Sequence, residues 1–119
     1  MLFRSSCDMS LAELAPAIAA YIAATNARDT SAVAHCFADD ANVFDEGAHQ
    51  VGTAAIARWM EDTAQRYQSR VEVLNVQHRT GKVLVNNVVS GNFPGSPLEL
   101  RYTFRLNEQG KISRLDISL

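Results

Sequence analysis

Apolar residues in the first half of the chain recur at three- and four-residue steps, the spacing of one face of an α-helix. Ser10 is placed as an N-cap before the first of these stripes. Pro16 is awkward deep inside a helix, so the regular part begins or kinks near it, and residues 26–29 end the helix. The stripe consists of Leu11, Leu14, Ile18, Tyr21 or Ile22, and Thr25.

Two further helices are predicted before residue 70. Asp29 or Thr30 caps a short one, which carries Val33, Cys36 and Phe37 inward. Residues 38–40 break the chain, residues 41–45 form a short strand, and Glu46-Gly47 makes a turn. Thr53 then caps a third helix, whose apolar stripe is Ile56, Trp59, Met60, Thr63 and Tyr67.

From residue 70 the period changes from 3.6 to 2, which predicts strands over 71–78, 83–90, 98–106 and 111–119. The strand 98–106 alternates most cleanly. Leu98, Leu100, Tyr102, Phe104 and Leu106 face one way, while Glu99, Arg101, Thr103 and Arg105 face the other. Helices followed by a strand meander predict an α+β domain, with three N-terminal helices covering one face of an antiparallel sheet. The domain is expected over residues 10–119, after a tail of residues 1–9.

Composition narrows the classes of function. A chain of 119 residues with 47% hydrophobic residues fits one domain with a real core. The formal net charge is −2 and no basic run appears, so nucleic acid is not an expected partner. We found no bilayer-spanning apolar segment and no secretory h-region, so the expected location is cytoplasmic, with no membrane partner. Cys7 and Cys36 form no C-x-x-C, and Cys36 is expected in the core.

Candidate chemistry comes from polar residues on otherwise apolar faces. Asp45 has the strand parity of Ala41 and Val43, Tyr21 lies on the stripe of the first helix, and Tyr102 lies between apolar neighbours. A core-facing carboxylate is costly unless it is paired, hydrated or neutralised. A pocket would explain it, because desolvation makes a carboxylate a better base and phenol hydroxyls can donate to a developing oxyanion.

A structural explanation of the same residues stays open. Asp45 could end its strand in an Asx-turn, and both tyrosines could be core residues whose hydroxyls reach the surface. Asn87 points inward by parity and is either a hydrogen-bonding group of the pocket or a bulge residue. Four large side chains are core residues, or pocket wall if the fold is hollow: Phe37, Trp59, Met60 and Phe104.

Metal and cofactor sites are not expected. His35, His49 and His78 have no metal-binding spacing, and Asp45, Glu46 and His49 are only a formal alternative. The glycines near Pro94 do not precede a helix, so they form no phosphate loop.

Three segments together resemble a known family. They are Tyr21-x4-Asn26-Ala27-x-Asp29, Phe37-Ala38-Asp39-Asp40-Ala41-x-Val43-x-Asp45 and Gly52-Thr53-Ala54-Ala55-Ile56. The chain resembles ketosteroid isomerase and, more broadly, the SnoaL-like branch of the nuclear transport factor 2-like superfamily, over nearly its whole length from residue 10. The resemblance implies a cone-shaped domain, in which a strongly curved sheet wraps around a long helix and encloses a pocket. It also implies a homodimer, for which the outward face with Arg101, Thr103 and Arg105 is the candidate surface.

The resemblance also implies roles for single residues. Tyr21 falls where the isomerase has its oxyanion-hole tyrosine, and Asp45 falls where it has the base that shuttles the proton. Two positions depart from the isomerase. Tyr102 stands where the isomerase has a protonated aspartate, and Met60 stands where a tyrosine supports the oxyanion tyrosine.

The leading hypothesis is therefore a cofactor-independent isomerase or cyclase acting on a small apolar carbonyl compound. Asp45 would act as base, and Tyr21, with Tyr102, would bind the enolate oxygen. A non-catalytic ligand-binding or dimerisation module is the alternative, because the fold alone does not fix the function. An epoxide hydrolase ranks last, because its Asp–Arg–Asp arrangement is not available when Arg101 and Arg105 face outward.

Overall fold

The helices begin and end where local residue chemistry places them. The computed structural model describes residues 14–119. Helix α1 (Pro16–Ala27) begins with a proline, whose missing N–H costs nothing in the first turn. It ends at Arg28 in the left-handed conformation (φ 55°). The sequence allowed for this start at Pro16, whereas Ser10, Leu11 and the predicted tail lie outside the described residues.

The second helix is shorter than a regular helix. Asp29 accepts a hydrogen bond from the Ser31 amide at 3.0 Å and caps a 3₁₀ turn (Thr30–Ala32). A single α-turn, α2 (Val33–Cys36), follows. Helix α3 (Thr53–Tyr67) is long, and its N-cap is Gly52, without a side-chain cap bond. The predicted cap Thr53 is thus the first helical residue. Of the three predicted helices, two are long in residues 14–119 and the short second one is reduced to a 3₁₀ turn and one α-turn.

Six strands form one sheet in the order β2-β1-β6-β5-β4-β3. The α+β class is confirmed, but the sheet is mixed and not purely antiparallel, because β1 pairs with β6 in parallel. The remaining neighbours pair antiparallel. The strands are β1 (Phe37–Asp45), β2 (Ala48–Val51), β3 (Arg70–Arg79), β4 (Lys82–Ser90), β5 (Leu98–Leu106) and β6 (Ile112–Ser118).

The start of the sheet differs from the sequence prediction. The predicted break at residues 38–40 is wrong, because β1 runs through it and its two aspartates point to solvent. Strand β2 was not predicted at all. It pairs with the end of β1 through a tight turn in which Glu46 (φ 54°) and Gly47 (φ 76°) both have positive φ. Such a turn suits a twisted hairpin, but Glu-Gly is a weaker sequence signal for it than Asn-Gly.

The core lies between α1 and the inner face of the sheet. Tyr21 contacts Phe37 (ring centroids 5.5 Å apart) and Phe104 (5.9 Å) in edge-on geometry, which aromatic pairs prefer. The alternation predicted for β5 is confirmed, since Tyr102 and Phe104 are buried whereas Arg101 and Arg105 are exposed. This face of the sheet therefore receives the helices and carries the interior of the domain.

Asn26 fastens the end of α1 to the edge of the sheet. Its Nδ2 donates to the Val71 carbonyl oxygen at 3.0 Å, and its Oδ1 accepts from the Val71 amide at 2.7 Å. One side chain thus satisfies both polar groups of an edge-strand residue, as a neighbouring strand would. The pair of bonds fixes where α1 ends relative to β3.

We expect Asn26→Ala to lower the free energy of unfolding by about 1–3 kcal/mol, because it leaves two part-buried backbone groups without partners. The better helix propensity of alanine offsets only a few tenths of this loss. Chemical denaturation measures the difference. Asn92→Ala is the matched control, because the Asn92 side chain is exposed, and an equal effect of both substitutions would contradict the role of Asn26.

Candidate functional site

A cavity of about 540 Å³ opens between the two long helices and the sheet. Helix α1 contributes Tyr21 and Thr25, and α3 contributes Trp59, Met60, Thr63, Ala64 and Tyr67. The opposite wall comes from β4, β5, β6 and the β4–β5 loop, with Val89, Phe93, Pro94, Leu98, Leu100, Tyr102 and Ile117. Apolar and aromatic side chains make up most of the lining, so a charged or hydrogen-bonding group among them exerts a strong effect.

Two of these polar groups are phenols. Tyr21 and Tyr102 are both buried, and their ring centroids are 6.4 Å apart. Burial raises the pKa of Tyr21 well above its ordinary value, and the neighbouring Tyr102 adds to the effect. The pKa of Tyr102 is raised by burial first and by the Asp45 charge second. Both shifts favour the protonated phenol, so both hydroxyls can act as hydrogen-bond donors near neutral pH.

The third polar group is Asp45, at the end of β1. The Trp59 indole Nε1–H donates to Asp45 Oδ2 at 3.1 Å, which orients the carboxylate from α3. Burial raises the pKa of Asp45, and the adjacent Glu46 charge raises it further. The hydrogen bonds from Trp59 and from the Glu46 backbone amide, together with the Arg66 charge, act in the opposite direction. Asp45 is thus a desolvated carboxylate that shares one cavity with two phenol donors.

A second set of contacts surrounds Glu46, next to Asp45 in the chain. The Tyr67 hydroxyl donates to Glu46 Oε2 at 2.9 Å, and Arg66 lies 3.6 Å from Glu46 Oε1. The Arg66 guanidinium also lies over the Tyr67 ring, 4.8 Å from its centroid, and Phe93 packs against that ring. These contacts connect the β1–β2 turn, the end of α3 and the β4–β5 loop at one side of the cavity.

The β4–β5 loop reaches the end of α3 because residue 91 has no side chain. The Asn92 amide donates to the Tyr67 carbonyl oxygen at 2.6 Å. A Cβ on Gly91 would lie 2.5 Å from that same oxygen, so no larger residue fits without moving the backbone. Gly91 was not among the predicted site residues, although a glycine next to a strand can mark a place where another backbone segment comes close.

Five of the eight predicted site residues line the cavity. They are Tyr21, Asp45, Trp59, Met60 and Tyr102. Trp59 was expected as wall, and its hydrogen bond to the carboxylate was not foreseen. Phe37 and Phe104 are fully buried and do not line the cavity, because the Tyr21 ring packs directly against them. They support the cavity wall from behind.

Asn87 also lies away from the cavity lining. It is fully buried, its Nδ2 donates to the Val85 carbonyl oxygen at 3.3 Å, and its Oδ1 has no partner within residues 14–119. The pairing of β3 with β4 shifts between Val73 and Asn75, so Leu74 is an extra residue. The bulge is therefore on β3, next to Asn87, and Asn87 is not itself the bulged residue.

Two further features, a metal site and a membrane-spanning helix, are absent from the same part of the chain. Residues 14–119 contain no group of three or more His, Cys, Asp or Glu side chains placed to bind a metal ion. None of the helices in this range is long and apolar enough to cross a membrane.

Comparison with known proteins decides the family. The family model described as the SnoaL-like domain matches residues 18–115, which is most of the chain. The chain belongs to the SnoaL-like domain family. No curated protein matches the sequence of this SnoaL-like domain at a significant level.

Solved structures give the same fold. A Sinorhizobium meliloti protein named as a candidate polyketide cyclase is 39% identical to this SnoaL-like domain, with a TM-score of 0.85 over 89% of this chain and 96% of that chain. A Catenulispora acidiphila protein with a ketosteroid isomerase-like fold, solved with trimethylamine, is 20% identical, with a TM-score of 0.76 over 87% and 85% of the two chains. An Agrobacterium tumefaciens protein, named as a candidate isomerase of the SnoaL-like family, is 18% identical, with a TM-score of 0.68 over 82% and 88%.

We expect Asp45→Asn to stabilise the SnoaL-like domain at neutral pH. The pKa of Asp45 is raised in the folded state, so stability falls as pH rises from about 3.9, the ordinary carboxyl value, through that raised pKa. Asparagine carries no charge and its Oδ1 can still accept from Trp59. Thermal unfolding of both proteins across pH measures the effect. The variant should be the more stable one at pH 7 and the difference should vanish below pH 4 or so; a variant less stable at pH 7 would contradict this account.

Proposed function

We propose that this SnoaL-like domain is a cofactor-independent enzyme that transfers a proton on a small apolar carbonyl compound, as an isomerase or cyclase. The observation that carries the proposal is the placement of Asp45 beside the phenols of Tyr21 and Tyr102 in one apolar cavity. The SnoaL-like relative named as a candidate polyketide cyclase supports the cyclase form of the reaction.

In the proposed reaction, one Asp45 oxygen removes a proton from the carbon next to the substrate carbonyl. The electron pair of that C–H bond moves to the carbonyl oxygen, which becomes an enolate and accepts hydrogen bonds from Tyr21 and Tyr102. Asp45 then returns the proton to another carbon, which gives an isomer. In a cyclase, the enolate carbon instead attacks a second carbonyl of the same molecule. The π electrons of that carbonyl move to its oxygen, which takes the proton from Asp45 and becomes a hydroxyl. Neither reaction has a net oxidation or reduction, so no electron acceptor is needed.

The three groups suit these roles for physical reasons. The Trp59 indole, which donates to Asp45 Oδ2, holds the carboxylate at the cavity while it acts as base. Desolvation brings the proton affinity of a carboxylate closer to that of a carbon acid, so proton transfer becomes less uphill. The phenols stay protonated because burial raises the pKa of each, and they meet the developing charge without reorganising.

We expect Asp45→Asn to slow deuterium exchange next to the carbonyl of cyclic ketones by about 10²–10⁴, the usual contribution of a positioned base. Tyr21→Phe should slow it by about 10²–10³, as removal of one oxyanion donor does elsewhere. Proton NMR in D₂O measures the exchange. Asp40→Asn, an exposed carboxylate on the same strand, is the control and should leave the rate unchanged.

The alternative, a non-catalytic ligand-binding module, gives a different result in this experiment. It would show binding of the ketones by thermal shift, with exchange no faster than in buffer for the wild-type protein. Such a result would refute the catalytic proposal while leaving the cavity as a ligand site. The homodimer stays a prediction from the family resemblance.

The pH dependence of exchange should follow the Asp45 carboxyl. Only the ionised form is a base, so kcat/KM should rise with pH through the raised pKa of Asp45 and then level off. Glu46→Gln removes a neighbouring negative charge that raises this pKa, so it should move the rising limb to lower pH. Steady-state rates from pH 4 to pH 9 or so test this. A limb that does not move, or that moves to higher pH, would count against Asp45 as the base.

A further inference from the structure

One face of α1 connects the inner end of the cavity to its polar margin. Tyr21, Thr25 and Arg28 lie at successive helical steps, and all three line the cavity. At 1.5 Å per residue, the backbone positions of Tyr21 and Arg28 are about 10 Å apart along the helix axis. The cavity therefore extends along α1, with the Tyr21 phenol at one end of this face and the Arg28 guanidinium at the other.

Charge is distributed unevenly among the residues that line the cavity. The acids Asp45 and Glu46 both lie on the β1–β2 side, and Glu46 is engaged by Tyr67 and Arg66. Within the described part of the chain, Arg28 is the one Lys or Arg in the lining. An anion entering the cavity therefore finds its attractive partner at Arg28, on α1.

Arg28 is held in place and has donors to spare. Its backbone is the left-handed C-cap of α1, and its Nη2 donates to the Gln68 carbonyl oxygen at the C-terminus of α3, at 2.8 Å. A guanidinium has five N–H donors, and no other bond of this side chain is made within residues 14–119. The remaining donors can form the paired hydrogen bonds that arginine makes with a carboxylate.

A second, polar groove of about 500 Å³ borders the cavity and is lined by Arg28, Thr30, Glu61, Ala64, Gln65 and Gln68. Arg28, Thr30 and Ala64 border both spaces. A charged group bound at Arg28 thus stays in contact with water, and its binding does not require full desolvation. Glu61 opposes an anion lying further along the groove, which confines a carboxylate to Arg28.

We propose that the ligand of this cavity is an elongated keto acid, with an apolar carbonyl-bearing end beside Asp45 and Tyr21 and a carboxylate on Arg28. The proposal rests on the proposed function for the choice of which end reacts. Arg28 is then the residue that selects acids over their neutral counterparts. It takes no part in the proton transfer.

The test compares two probes that differ in one charge: a cyclohexanone carrying a six-carbon carboxylic acid chain at position 4, and its methyl ester. Trp59 is the single tryptophan of the chain and lines the cavity, so its fluorescence reports binding without any turnover. We expect wild-type protein to bind the acid about tenfold more tightly than the ester, in line with one charge-assisted contact near water.

Arg28→Gln should remove this preference and bring the two affinities within about twofold, mainly by weakening the binding of the acid. Arg28→Lys keeps the charge without the planar fork, so part of the preference should remain, and it guards against a folding defect of the glutamine variant. Arg101→Gln, an exposed arginine on the outer face of β5, is the matched control and should keep the full preference.

The outcomes separate this proposal from the catalytic one. Equal binding of acid and ester by wild-type protein, a preference that survives Arg28→Gln, or no binding of either probe would each overturn the keto acid proposal. A preference that depends on Arg28, together with no exchange catalysed by wild-type protein, would uphold the carboxylate site and refute the proposed reaction. Asp45→Asn should keep the acid preference, because Arg28 acts on binding alone.

Discussion

A carboxylate held among apolar walls is the constraint on which the site depends. Such a group is costly to bury, and its position is tolerated because the Trp59 indole donates to one of its oxygens. The same hydrogen bond serves the indole, whose N–H also needs a partner once it leaves water. Trp59 therefore links the end of β1 to the middle of α3 and sets the direction in which the second Asp45 oxygen points.

The cavity exists because the elements around it meet at their ends and not along their lengths. Asn26 fixes the end of α1 to β3, while Gly91 lets the β4–β5 loop lie against the end of α3. Deeper in the domain, Tyr21 packs on Phe37 and Phe104 and closes the space. A solid core at one end of the helix pair thus turns gradually into a hollow space at the other. The boundary between them runs through the Tyr21 side chain.

The sequence pattern predicted which face of the sheet a residue occupies, but not how far that residue lies from the cavity. Alternation along β5 separates Tyr102 and Phe104 from Arg101 and Arg105, because the period of a strand decides which side of the sheet a residue occupies. Parity carries no information about distance from the cavity, so Phe104 was grouped with Tyr102 although only Tyr102 reaches the hollow end. The contact between Asp45 and Trp59 was missed for a related reason. Each residue alone showed a need for a partner, but their pairing depends on how α3 packs on the sheet.

The topology of the sheet was also beyond the pattern of apolar residues. Strand β2 is short and largely exposed, so it shows little alternation, and its turn uses Glu46 and Gly47 in place of the residues most typical of such hairpins. The parallel pairing of β1 with β6 joins segments far apart in the chain, and no local sequence pattern indicates this pairing. Local chemistry, by contrast, indicated a helix end at residues 26–29 and a change near Pro16, and Asp29 is one of the two caps it offered for the next turn.

The parallel pairing of β1 with β6 also affects the pKa of Asp45, because it holds part of the cavity wall in place. Val43 pairs with Leu115, and Ile117, two residues further along, forms part of the cavity wall. Contacts of such long sequence separation form late in folding, because the intervening chain must first be ordered. Ile117 belongs to the cavity wall, so the desolvation that raises the pKa of Asp45 depends on the packed position of β6. The raised pKa of Asp45 is thus a property of the completed sheet, and release of β6 would return this pKa toward the ordinary carboxyl value.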